Sequence, residues 1–133
     1  MKSYTDLEQS KILAEILPIE SADCYWDYDE MQKFHRINWF EEGFNKESQL
    51  RLNENNVCAW SLAALVGVLP VMIDYKGSLI RLRMDKGNVG QDDYAIWYDD
   101  LDNGLSTNIA SEAKNFIDAA YEMILKLHEL NLL

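Results

Sequence analysis

A chain of 133 residues, nearly half of them hydrophobic (48%), is sized for one domain with one core and carries too much apolar surface for a disordered chain. Its 23 acidic residues against 12 Lys plus Arg give a net charge of −11, which repels phosphate backbones and anionic lipid heads and argues against direct nucleic-acid or membrane-surface binding. Cys24 and Cys58 are too few for a disulfide framework and lack zinc-site spacing, and the start carries no apolar leader, so a cytoplasmic protein without metal or cofactor is expected.

Thr5 followed three residues later by Glu8 reads as a capping box, and Leu7, Ile12, Leu13, Ile16 and Leu17 then share one face until Pro18. This predicts a helix over 5–17. Seven aromatics follow between Tyr25 and Phe44, interleaved with acids, and they predict strands over 23–28 and 34–40. The polar, asparagine-rich stretch 45–56 suits an exposed loop or a short surface helix. Val57 to Ile73 carries no charge, but Gly67 and Pro70 interrupt it and it is short for a bilayer, so a buried helix over 58–69 followed by a strand is expected rather than a membrane span. The endings LAEILP and LVGVLP resemble each other, which would fit two weakly similar helix-plus-hairpin halves, about 1–50 and 51–105, within one domain.

Ile80, Leu82 and Met84 alternate with Arg81 and Arg83, which predicts a half-buried strand over 79–84. The glycine-containing stretch 85–91 turns the chain back into a second strand over 94–98. Beyond a turn region at 99–108, Ile109, Ala113, Phe116, Ile117, Ala120, Ile124 and Leu127 step by three and four, predicting an amphipathic helix over 109–130. Tyr121, Met123 and Leu125 widen its apolar stripe, which fits either self-association or a deep groove between two other elements. The expected architecture is α+β: three helices packed on a small antiparallel sheet built from two hairpins.

Several constellations carry candidate chemistry. The acids Asp92, Asp93, Asp99, Asp100 and Asp102 form a cluster, but Leu101 and Ala110 occupy ligand positions of the calcium-loop pattern, so turn closure is favoured over a metal. Cys24 with His35 across a hairpin would be the thiol-and-base pair, set against the commoner inert buried cysteine. Tyr25, Trp26, Tyr28 and Trp39 offer flat apolar faces for a small ligand, a sugar or a partner's side chain, although aromatics in a small domain are more often core. The nucleotide-cradling, zinc-protease and serine-hydrolase motifs are absent.

The segments LEQSKILAEILPIESAD, AWSLAALVGVLP and IDAAYEMILKLHELNLL together resemble a group of short proteins found in gut Bacteroides-type genomes and their prophages. The resemblance spans most of the chain and implies a bacterial or phage cytosolic setting; no activity, cofactor or catalytic residue comes with it. The expected function is therefore a non-catalytic acidic interaction protein, a homo-oligomer or the partner of another protein. A small-ligand or sugar-binding domain built on the aromatic cluster is the second expectation, and an acidic DNA mimic that inhibits a DNA-processing enzyme the third.

Overall fold

The computed structural model describes residues 2–87, 93–103 and 106–133. The architecture is α+β, but the described elements include four α-helices and two antiparallel sheets, of three and four strands, instead of three helices on one sheet. The described residues fall into two compact units, 3–64 and 65–133 with Lys2.

In the first unit, helix α1 (Leu7–Ala14) is capped by Asp6, not Thr5. The Asp6 carboxylate accepts from the Gln9 backbone at 2.8 Å, and the Gln9 side chain returns a bond to the Asp6 backbone at 3.1 Å. Thr5 is instead fully buried, its hydroxyl 2.7 Å from Ser10 Oγ and accepting from the Trp60 backbone at 3.1 Å. A 3-10 turn at Ile19–Ser21 leads into strands β1 (Cys24–Asp29) and β2 (Phe34–Trp39), which pair in antiparallel register with Tyr28 opposite His35 and Cys24 opposite Trp39. The turn between them is closed by Asp29, whose Oδ1 accepts from the backbones of Met31 and Gln32. The short helix α2 (Lys46–Leu50) follows, capped by Asn45.

The apolar run at 57–69 is not one helix. Val57–Ala59 is strand β3, paired with β1, and helix α3 (Leu62–Val68) begins only after Ser61, whose hydroxyl accepts from the Ala64 backbone. The reason is local: Asp23 holds both the backbone N–H and the hydroxyl of Ser61, which fixes an extended Trp60–Ser61 and delays the helix by four residues. The strand order is β2-β1-β3, with α1 packed on β3 and the Tyr4–Ser61 bridge just beyond it.

In the second unit, strands β4 (Met72–Tyr75), β5 (Ser78–Lys86), β6 (Tyr94–Asp100) and β7 (Ser106–Ala113) form a meander in sequence order. Lys76 and Gly77 have φ of 52° and 80°, so the two-residue β4–β5 connection has the left-handed conformation that matches hairpin twist. Residues 109–113, expected as helix, belong to β7. Ile109 and Ser111 are buried while Ala110 and Glu112 are exposed, a period of two that the four-residue spacing of Ile109 and Ala113 conceals. Helix α4 (Phe116–Glu129) starts at the Asn115 cap and lies on β6 and β7. Of the residues that widen its stripe, Tyr121 and Met123 are buried and Leu125 is half-buried. Lys126 reaches from α4 to the Ala110 carbonyl. No helix among the described residues is long and apolar enough to cross a membrane.

Candidate interaction surfaces

The four aromatics singled out by their sequence do not share one surface. Tyr25 and Trp26 are neighbours on β1, so their side chains leave opposite faces of the sheet. Tyr25 is buried, stacks on Phe40 at 4.8 Å and accepts from Asn38 through its hydroxyl, which burial holds above the ordinary tyrosine range. Trp26 is structural as well: its indole N–H lies 3.2 Å from both the Thr5 carbonyl and Ser10 Oγ, and Tyr4 meets its ring edge-on. Tyr28 packs edge-to-face with His35. Trp39 alone of the four is largely exposed, at 51%.

Other exposed apolar side chains lie along the same hairpin, with Phe34 and Trp39, five residues apart on β2, leaving opposite faces of the sheet. Phe34 at the other end of β2 is 42% exposed, Met31 in the preceding turn 94%, and Phe44 after the strand 65%. β2 is also an edge strand, with β1 on one side and no strand on the other among the described residues. An exposed edge offers unpaired backbone donors and acceptors to an incoming strand, and Arg36 is the one charged side chain along it. Between 23 and 44 there are six carboxylates against Lys33 and Arg36, so the hairpin is acidic.

The acidic cluster is dispersed. Asp92 lies outside the described residues. Asp99 sits opposite Arg81 on β5 and 3.8 Å from Arg83, on the sheet face away from α4. Asp100 lies opposite Ile80 and closes the next turn by accepting from the backbones of Asp102 and Asn103, the former bond being the main reason its carboxyl titrates below the ordinary aspartate value. Asp93 and Asp102 are exposed, and no group of three or more metal-ligating side chains converges among the described residues. The basic pair Arg81 and Arg83 therefore faces a carboxylate of its own sheet.

Neither cysteine has the setting of a nucleophile. Cys24 lies four strand positions from the level of His35, about 13 Å at 3.3 Å per residue, and the His35 Nε2 is engaged by the Asn55 carbonyl at 2.9 Å. Burial pushes the Cys58 thiol up to about 11, and burial together with the Asp23 charge raises Cys24. Both thiols are protonated at neutral pH.

Two depressions accompany these surfaces. One, of about 480 Å³, lies between α1 and the residues around β3 and is walled by Ala14, Leu17, Leu50 and Val57. Asn56 borders it; its Oδ1 accepts from the Tyr28 backbone, and its Nδ2 is buried without a hydrogen-bond partner among the described residues. The other, of about 420 Å³, opens on the sheet of the second unit beside Trp97, a residue that sequence reasoning left inside a strand. No protein-family model, curated protein or solved structure matches the chain.

Proposed function

We propose that this chain is a non-catalytic interaction protein that pairs an extended, basic and apolar segment of a partner protein with the β2 edge. The single observation that carries the reading is the coincidence of an unpaired strand edge with Phe34, Trp39 and their exposed neighbours Met31 and Phe44. Strand addition takes its affinity from main-chain hydrogen bonds and its specificity from alternate side chains, and large aromatics are what hot spots are built from. The surplus of carboxylates around the hairpin favours a basic segment and repels acidic ones.

The test is a benzophenone amino acid placed at Phe34 or at Glu129, with irradiation in host cells and mapping of the crosslinked peptide. Crosslinks from position 34 to one defined partner segment rich in Lys or Arg, and none from position 129, are expected. Equal crosslinking from both positions overturns the reading. Crosslinks from position 34 to a second copy, with a concentration-dependent molar mass by light scattering, replace the partner protein by the chain itself.

A further inference from the structure

The open face of the second sheet holds a small constellation separate from the β2 edge. Trp97 on β6 is paired across to Ala110 on β7, and Ala95, two residues along β6 on the same face, is paired to Glu112. The Trp97 and Glu112 positions thus stand diagonally, their backbones about 7–8 Å apart, with Ala95 and Ala110 at the other two corners. These four residues line the 420 Å³ depression.

Both of its working groups are idle. Among the described residues, Trp26 and Trp60 use their indole N–H groups, bonding to Thr5 and Ser10 and to Ser21 respectively. Among the described residues, Trp97 makes no such bond, and no ring or cation lies against its face. Glu112 is exposed and has neither a hydrogen bond nor an ion pair with another described residue. Of the cations near this face, Arg83, across from Trp97, lies 3.8 Å from Asp99 and Lys126 is bound to the Ala110 carbonyl, while Arg81 sits one pair further along opposite Asp99 and Lys114 is exposed two residues beyond Glu112.

We infer that this depression binds an alkylammonium group, with the Trp97 face and the Glu112 carboxylate on either side of the charge. A positive charge is drawn to the quadrupole of an indole face within about 6 Å, and a group between the two walls satisfies that limit while reaching the carboxylate. The alanine floor accepts the methylenes of the stem. Anions are excluded by Glu112 and by Asp85 opposite Ala95, and the net charge of −11 raises the local concentration of cations. The same chemistry is presented by a free polyamine and by a lysine side chain on a protein.

The experiment follows the Trp97 indole N–H and the Glu112 backbone amide in ¹H–¹⁵N spectra of the full chain during titration with spermidine and, separately, Nα-acetyl-lysine methylamide. Saturable shifts of both signals are expected with at least one probe, and the tighter of the two names the source. Glu112→Gln weakens the binding about three- to fivefold, as befits a partly exposed charge pair, and Ala110→Leu, which fills the floor while leaving both walls, removes saturation. Shifts that stay linear to high concentration with both probes, or binding unchanged in Glu112→Gln, overturn the assignment. The β2 edge is untouched by these variants, so this result stands apart from the crosslinking test.

Discussion

Replacing Thr5 by Val keeps the shape of a fully buried side chain and removes only its hydroxyl. Three groups depend on that oxygen's neighbourhood. The Trp60 backbone N–H donates to it at 3.1 Å, Ser10 Oγ lies 2.7 Å away, and Trp26 Nε1 bonds to the Thr5 carbonyl beside it. In Thr5→Val the Trp60 amide has no acceptor and no water, which costs about 1–3 kcal/mol, and Ser10 loses its shorter contact for about 1 kcal/mol more. The added methyl recovers less than 1 kcal/mol, so a net loss of about 2–3 kcal/mol is expected. Thr5→Ser keeps the hydroxyl and removes one methyl, for about 1 kcal/mol. The assay is urea unfolding by tryptophan fluorescence in a Trp97→Phe background, where Trp26, Trp39 and Trp60 all report on residues 3–64. With an m-value of about 1 kcal/mol/M, Thr5→Val lowers the midpoint by about 2–3 M and Thr5→Ser by about 1 M. A Val variant as stable as the Ser variant would refute the claim that the hydroxyl, rather than the packing, holds Trp60 to the N-terminal segment.

Three further outcomes follow from buried groups. Because both thiols are raised by burial, iodoacetamide at pH 7.5 leaves Cys24 and Cys58 unmodified until urea is added; rapid labelling of the native chain would contradict their placement. The same shifts link stability to pH: with the unfolded thiol near 9.0 and folded Cys58 near 11, the contribution is complete below pH 9 and declines between 9 and 11 as only the unfolded chain ionises. The urea midpoint of residues 3–64 therefore falls over that window, and falls less in the Cys24→Ala/Cys58→Ala variant. In the second unit, Tyr98 is fully buried and its hydroxyl donates to the Pro70 carbonyl at 2.7 Å, so Tyr98→Phe costs about 1 kcal/mol in thermal unfolding, and an unchanged melting temperature would place that hydroxyl in water.

Elements whose signal is local were legible. The aromatic hairpin at 24–39 and the strands around 80–84 and 94–98 lie where β-formers sit between turn residues, and α4 from Phe116 onward shows an unbroken apolar stripe. The two misplaced helix starts share one cause: an apolar or small-residue strand placed directly before a helix. Val57–Ala59 is buried by pairing with β1, and Ser106–Ala113 mixes Ala, Ser and Thr, so neither displays its period against the helix that follows. Strand β4 was expected only as an extended stretch after the buried helix, and the Lys76–Gly77 turn is the signal that fixes its end. The site at Trp97 was hidden by the second error. Once Glu112 is read as helical it cannot be seen across from Ala95, although the alternation of Ala95, Ile96, Trp97 and Tyr98 already assigns the tryptophan to the face opposite the core.

The edges of the three-stranded sheet differ in a way that limits how far any assembly grows. Past β3 the N-terminal segment bridges Trp60 and Ser61, with Thr5 donating to the Trp60 carbonyl at 2.9 Å, whereas β2 has no such cover. In the other sheet Lys126 occupies the Ala110 carbonyl of the terminal strand β7. A molecule whose strand pairing is concentrated at one edge closes on itself when two copies meet there, since each uses up the other's free side. Propagation into filaments requires a second, complementary edge; in the three-stranded sheet the N-terminal residues stand where it would be, and in the other sheet β4 is the edge that has no further strand beside it among the described residues.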